Sequence, residues 1–358
     1  MQSVINPSLP DWLAPSAIAG GKAVVLQGNG IGNLKLTTLP KVPSPKDHEI
    51  VIQVLAVCLN HRDTFGIQGS RKGGWIPCSD AVGKVIAVGS KVTRVKVGDR
   101  VCPIFTQNYI TDSNRANAFA LGNTKGIPGA LCESMLLSED NVVVVPSHLS
   151  DEEASTLPCA GVTAWRGLVT EGRMKKGETL LVEGTGGVSI FGAQFAKALG
   201  GKVICTSSSD DKLKQVKEML GVDYTINYRE HKDWGKKAKK DFGGADHVLE
   251  IGGAGTLDQA MMALNNNGSL AVIGLLEGVE AKINVVQFFV KQIRMNGISV
   301  GSREDFEDMN KCIAEHRIKP VVNAVFPFSQ SNKAFELMES GNFIGQIVIS
   351  LNGNNSSL

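Results

Sequence analysis

Residues 179–192 read Thr-Leu-Leu-Val-Glu-Gly-Thr-Gly-Gly-Val-Ser-Ile-Phe-Gly, and they restrict the fold more than any other stretch. A short apolar run opens the segment, as a buried parallel strand does. The turn Gly184, Thr185, Gly186, Gly187, Val188 follows, and after it a helical pattern. Phe191, Phe195 and Leu199 recur at helical spacing, with Ala193, Ala196 and Ala198 between them as good helix formers. Gly200-Gly201 stops the helix. A strand that enters a helix through such a turn suits a dinucleotide pyrophosphate. Glycines let the backbone approach the phosphates, and the helix N-terminus offers unpaired N–H groups and partial positive charge.

An ordinary tight turn would also use glycine, so the context decides. A second strand, Lys202–Thr206, follows the helix, then a helix over Asp210–Leu220 and a strand over Tyr224–Asn227. This βαβαβ order is one mononucleotide-binding half of a Rossmann sheet. The sheet is expected to continue through the strand Asp246–Ile251, the helix Gly255–Leu264, the turn Asn265–Gly268 and the strand Leu270–Gly274. Gly252 and Gly274 are assigned to the cofactor with the glycine turn.

The chain has 358 residues, enough for about two domains. A net charge of +2 gives no reason to expect nucleic acid or a membrane as the main partner. The Lys-rich run Lys232–Lys240 reads as the solvated face of a surface helix. No apolar run approaches the ~18 residues that span a bilayer, and Met1–Gly20 lacks the charged and apolar regions of a secretory signal. Seven scattered cysteines without a C-x-x-C pair suggest free thiols in a reducing, cytoplasmic setting.

Residues 1–20 read as an extended arm. Short strands then dominate: Lys22–Gln27, Glu49–Leu59, Gly83–Val88, and two within Val95–Val101 joined at a Gly-Asp turn. Their spacing suggests a compact, partly open β-barrel. Residues 105–129 form a polar excursion of the length that usually serves a function, and Ala130–Leu137 and Asn141–Val145 return to strand character. The domain switch is placed at Pro146, so 1–146 with 301–358 form one domain and 147–300 the other. The helix Asp305–His316 and a strand Phe343–Ser350 return to the first domain, and Asn352–Leu358 reads as disordered.

In this order the chain resembles the medium-chain dehydrogenase/reductase superfamily. The resemblance is carried by Lys22–Gln27, Asn60-His61-Arg62-Asp63, Gly83 to Gly89, Val97–Val101, Pro158 to Trp165, the glycine turn and Ile226-Asn227-Tyr228-Arg229. It implies an α/β protein with a GroES-like catalytic domain, a Rossmann doubly wound parallel sheet and a cleft between them. Within the superfamily the chain looks most like the zinc-independent quinone and enoyl reductases, a branch often labelled zinc-type alcohol dehydrogenase-like. Zinc-dependent members present Cys, His-Glu and Cys to the catalytic metal; the matching positions here are Asn60, Ser79-Asp80 and Cys159. Only Cys159 is a strong zinc ligand, so no metal is expected. A small buried residue at a helix turn would equally explain Cys159.

An NAD-binding fold places an acid about 20 residues after the turn. Here the strand tip reads Thr206-Ser207-Ser208-Ser209, and hydroxyls with Lys212 would accept a 2′-phosphate. Similar reductases flank that phosphate with a Lys at the position of Lys212 and a Tyr at that of Tyr228, so NADPH is expected over NADH. Asp210 and Asp211 weigh the other way, and Ser209 could simply cap a helix. For the chemistry, the resemblance points to Asn60 and His61 as hydrogen-bond donors to the substrate oxygen, with His61 equally placed to hold phosphate. It points to Asp63 as a residue orienting them, and to Thr163 as a nicotinamide contact. Some relatives use a Tyr where Phe65 stands, which argues against a Tyr acid here. A metal-free site suits hydride delivery to the β-carbon of an enone, an enoyl group or a quinone, because hydrogen bonds can carry enolate charge. Carbonyl/alcohol interconversion is the alternative, and a non-catalytic NADPH-binding protein is a third. The segment Ile283–Val300 ends in Asn296-Gly297-Ile298-Ser299-Val300, which reads as an edge strand of the Rossmann sheet; similar proteins pair such edges across a two-fold axis, so a homodimer is expected.

Overall fold

The computed structural model describes residues 17–69, 74–117, 119–122 and 127–352. The chain divides into two compact units, Met1–Cys159 with Ser302–Leu358, and Ala160–Gly301. The division falls after Cys159 rather than at Pro146, because the short helix Asp151–Ser155 packs on the strands Glu49–Cys58 and Asp80–Val88. Of the arm expected over residues 1–20, the part up to residue 16 lies outside the described residues, and Ala17–Gly20 already belong to the strand Ala17–Leu26. Of the tail expected to be disordered, residues 353–358 lie outside them as well.

Glu49–Cys58 is the hub of the first unit. Asp80–Val88 runs antiparallel along one side of it. Along the other, its first half pairs with Cys132–Ser138 and its last three residues pair with Gln346–Ser350. With neighbours on both edges and packing on both faces, the strand is apolar almost throughout; Gln53 alone is exposed. Ala17–Leu26, Leu34–Leu39, Arg100–Pro103, Val142–Val144 and Val322–Pro327 complete a nine-stranded sheet, the β-rich, partly open arrangement expected of this half. Ile50, Ile52, Val85, Met135 and Ile347 share one core with Phe335 of the helix Ser331–Ser340. Each such side chain contributes about 1.5–3 kcal/mol by burial. Two local readings change. Residues 95–101 hold one strand beginning at Arg100, because Gly98 turns at φ +97°. The polar excursion holds a small ribbon, Thr106–Gln107 against Phe119–Ala120, while residues 118 and 123–126 lie outside the described residues.

The second unit is a six-stranded, all-parallel sheet. Its spatial order is Tyr224–Asn227, Lys202–Ser207, Thr179–Glu183, Ala245–Glu250, Leu264–Val272, Arg294–Gly297. The order reverses between Thr179–Glu183 and Ala245–Glu250, and doubly wound sheets bind ligands at the carboxyl ends of such neighbours. The helix Gly187–Ala198 buries Ile190, Phe191, Phe195 and Ala196. The helix Asp210–Leu220 stands at its expected bounds, capped by Ser209 and ended by Gly221 at φ +61°. Asn265–Gly268, expected to be a turn, instead opens the strand Leu264–Val272, with Asn267 at φ +60° where the register shifts. The edge strand is Arg294–Gly297, starting and ending earlier than the expected Asn296–Val300, and the helix Val285–Val290 precedes it. Among the described residues no helix is long and apolar enough to cross a membrane.

Candidate functional site

In the second unit the strand Thr179–Glu183 ends directly on the turn. Gly184 adopts φ +73°, which glycine alone takes without strain. Gly186 caps the helix that begins at Gly187. A Cβ added to Gly184 or Gly186 would meet nothing within 4 Å, so this backbone faces open space. Thr185 is buried, and Gly187 and Val188 are half-buried in the first helical turn. Ser189 donates its hydroxyl to the Glu183 carbonyl at 2.6 Å. Gly192 has a different duty: a Cβ there would lie 2.5 Å from Leu249 Cδ1, so it lets helix and strand pack closely. An open glycine edge joined to a helix N-terminus fits the pyrophosphate of a dinucleotide.

At the next strand tip Ser207 is buried and Ser208 half-buried. Ser207 Oγ accepts from Ser209 N–H at 3.3 Å, and its carbonyl accepts from Tyr228 N–H at 3.0 Å, which holds Tyr228 beside this tip. Ser209 does cap the helix, accepting from Lys212 N–H. Burial lowers the Lys212 ammonium from its usual value. The Asp210 carboxylate is occupied, accepting from Asn227 Nδ2 at 3.1 Å.

Gly252 and Gly274 are glycines for a reason internal to the protein. A Cβ on Gly252 would sit 2.3 Å from Thr256 Oγ1, and one on Gly274 would sit 1.6 Å from the Ile251 carbonyl oxygen. The residues that organise these loops escaped the sequence reading. Glu183 Oε2 accepts from Ile251 N–H at 3.0 Å and Gly252 N–H at 3.1 Å. Glu250 Oε1 accepts from Gly253 N–H at 2.7 Å and from the Thr256 hydroxyl. Burial first, and then the Glu250 charge, push Glu183 up to about 8. The available signal was an acid closing each of two apolar strands, Val182-Glu183 and Leu249-Glu250. Thr163 also belongs to this unit, buried in the helical segment Val162–Trp165.

In the first unit Asn60 caps the helix His61–Gln68, and its N–H donates to Asp63 Oδ2 at 2.9 Å. Asp63 is buried, with Arg62 3.9 Å away. Arg62 donates to the Leu121 carbonyl at 3.0 Å and lies over the Phe105 ring, tying the helix to the polar excursion. His61 is exposed, packed edge-on against Phe65, with its pKa lowered by desolvation, so its ring is neutral at pH 7. Beneath them lies Asp80, fully buried. It accepts from Ser79 Oγ at 2.6 Å and from Cys159 N–H at 2.7 Å. Burial raises Asp80 to about 7 against these bonds and the nearby Asn60 amide, which lower it. Asn60 Nδ2 is buried without an acceptor of normal hydrogen-bond geometry. Cys58 and Cys78 are buried thiols raised well above their usual value by desolvation, and Cys78 stands at φ +68° two residues before Asp80.

These residues do not fit a catalytic zinc. Both Asp80 oxygens already accept hydrogen bonds, an amide stands at Asn60, and among the described residues no three His, Cys, Asp or Glu side chains converge. The structure thus brings Asn60, His61 and Asp63 together with Asp80 in one unit, and places the glycine turn, Ser207, Lys212 and Tyr228 on the carboxyl side of the other unit's sheet.

The alcohol dehydrogenase GroES-like domain family matches residues 46–147, and the zinc-binding dehydrogenase family matches residues 187–315. A zinc-type alcohol dehydrogenase-like protein of Schizosaccharomyces pombe is 38% identical over 85% of this chain and 91% of its own length. An acryloyl-coenzyme A reductase of Sulfurisphaera tokodaii is 29% identical over 92% of this chain and 99% of its own. A solved NAD-dependent alcohol dehydrogenase is 30% identical, covering 92% of this chain and 99% of its own, with a TM-score of 0.83. Sheet order, glycine turn and these likenesses agree: the chain belongs to the medium-chain dehydrogenase/reductase superfamily, with a GroES-like domain and a Rossmann sheet, and is an oxidoreductase of that type.

Proposed function

We propose that the protein is an NADPH-dependent reductase that transfers hydride to an activated C=C bond, of an enone or enoyl group, or to a quinone, without catalytic zinc. The observation that carries this reading is the Asn60–Asp80 cluster, which offers hydrogen bonds but no set of metal ligands. The acryloyl-coenzyme A reductase among the relatives supports it. The NAD-dependent alcohol dehydrogenase favours the second reading, carbonyl/alcohol interconversion. The bound nicotinamide supplies the hydride. The chain binds its pyrophosphate at Gly184, Gly186 and the helix N-terminus, and its 2′-phosphate at Ser207, Ser208, Lys212 and Tyr228. Thr163, Gly252 and Gly274 complete the cofactor side.

Asn60 donates an Nδ2–H to the substrate oxygen, where enolate charge develops, and neutral His61 donates beside it. Asp63 fixes the Asn60 backbone. Water returns a proton to the α-carbon. We also propose a cytoplasmic homodimer, supported by seven cysteines that form no disulfide and by Val285, Val286, Phe289 and Val290, exposed beside the edge strand Arg294–Gly297. Purified protein mixed with NADPH or NADH and a panel of enones, quinones and aldehydes tests the function. Turnover of enones or quinones with NADPH, unaffected by a chelator, is expected. Turnover confined to aldehydes and lost with the chelator would contradict it.

A further inference from the structure

The order reversal of the parallel sheet sets two strands side by side, and each ends on a glutamate. The register Val182↔Leu249 makes Glu183 and Glu250 neighbours at the carboxyl edge, directly before Gly184 and before Ile251-Gly252-Gly253. Both are buried, and among the described residues no lysine or arginine pairs with either. One oxygen of each acid is committed to the loop after Glu250: Glu183 Oε2 to the amides of Ile251 and Gly252, Glu250 Oε1 to the Gly253 amide and the Thr256 hydroxyl. The other two oxygens, Glu183 Oε1 and Glu250 Oε2, are buried with no donor from elsewhere in the described residues. Two carboxyls side by side in a buried site do not both ionise, and the Glu250 charge adds to burial in raising Glu183, so the pair holds one proton and one negative charge.

The pair also fixes both loops at this edge. It orients residues 251–256 through four donors, and the Glu250 carbonyl accepts from Ile273 N–H at 2.9 Å and Gly274 N–H at 3.1 Å. We infer that Glu183 and Glu250 are positioning residues for the cofactor, holding the loops of Gly252 and Gly274 in their binding form only while they share one proton, so that dinucleotide binding and retention of that proton are linked. The inference rests on the cofactor reading above. Loss of the proton would set two buried like charges side by side. That would loosen the loop and add a negative charge next to the glycine turn, where an anionic cofactor binds.

Burial and the partner carboxyl hold the proton up to about pH 8. Neighbouring elements do not supply a competing switch. Cys205, on the strand Lys202–Ser207, is pushed up to about 12 and stays a thiol. Lys197, on the helix Gly187–Ala198, is paired with Asp223, and Arg166, on the helical segment Arg166–Thr170, is paired with Glu171. Asp258, on the helix Leu257–Ala263, is exposed, as is Glu277 after the strand Leu264–Val272.

The test compares wild-type protein with Glu183→Gln. The amide can still accept from Ile251 and Gly252 and gives Glu250 an N–H in place of the shared proton. NADPH and NADH affinities are measured by calorimetry across neutral and alkaline pH, in buffers of different ionisation heat. Unliganded melting temperatures are followed over the same range. In wild type, affinity is expected to fall about tenfold per pH unit above the titration of the pair, with uptake of up to one proton on binding. In Glu183→Gln both the slope and the proton uptake should vanish, whatever its affinity at neutral pH, and the alkaline fall in melting temperature should shrink. Glu250→Gln, the mirror substitution, should flatten the slope too and serves if the first variant does not fold. Binding with the same pH dependence in wild type and both variants would overturn the inference alone. A wild-type protein that binds neither dinucleotide at neutral pH would overturn the cofactor reading and the inference with it.

Discussion

Each unit buries an acid and keeps it protonated toward neutral pH, but by opposite means. Asp80 is surrounded by donors, from Ser79, Cys159 and the nearby Asn60, that favour its charged form; burial, with a smaller push from the Asp63 charge, raises it to about 7 against them. Glu183 faces a second acid, and the partner charge adds to burial in raising it to about 8. The two sites therefore tolerate different losses. The donors around Asp80 need an acceptor and are stranded by its loss. The Glu183–Glu250 pair needs a proton, and a neutral isostere can supply its equivalent.

The largest effect expected from this contrast is at Asp80. Asp80→Ala leaves the Ser79 hydroxyl and the Cys159 N–H buried without an acceptor and should cost about 3 kcal/mol or more in a denaturant titration. A loss under about 1 kcal/mol would break the contrast, because it would mean the donors re-pair or reach water. Next is the pH dependence of folding. Asp80 is raised from 3.8 to about 7 and Glu183 from 4.5 to about 8, so the folded protein holds protons that the unfolded chain releases. Their stabilisation is full below the ordinary carboxylate values and is lost as pH rises through the folded ones. Stability should therefore decline between roughly pH 5 and 8, by up to about 1.4 kcal/mol per pH unit for each group. Melts in which Asp80→Asn and Glu183→Gln each remove part of that slope would sharpen the comparison.

A third effect concerns the open cradle rather than the acids. Gly186 has ordinary φ, and its Cβ would enter empty space. Gly186→Ala should leave stability within about 1 kcal/mol yet weaken NADPH binding about tenfold or more by filling the phosphate approach, measurable by calorimetry. The smallest is a surface control. Lys237→Ala removes the 2.8 Å pair with Asp241 on the Lys-rich helix and should change stability by only about 0.3–0.5 kcal/mol.

The nucleotide half was legible where its signals are local. The glycine turn is contiguous, and Ser209 and Gly221 mark the ends of their helix within the segment itself. Where a boundary depends on distant groups, the reading failed. Asn265–Gly268 looks like a turn in isolation. In the fold, the Lys291 ammonium reaches back to the carbonyls of Met261, Met262 and Leu264, and the strand starts there. The Asn60–Asp80 cluster could be named only through family resemblance, because Asn60, Ser79-Asp80 and Cys159 meet through tertiary packing. The glutamate pair was out of reach for the same reason, since the order of parallel strands places side by side two residues far apart in the chain.

The most direct test of the central claim follows the hydride itself. NADPH carrying deuterium on the transferred position is incubated with the protein and an enone, and the product is analysed by NMR. Deuterium is expected on the β-carbon of a saturated ketone. Deuterium on the carbonyl carbon of an unsaturated alcohol would contradict it and assign the protein to carbonyl/alcohol interconversion.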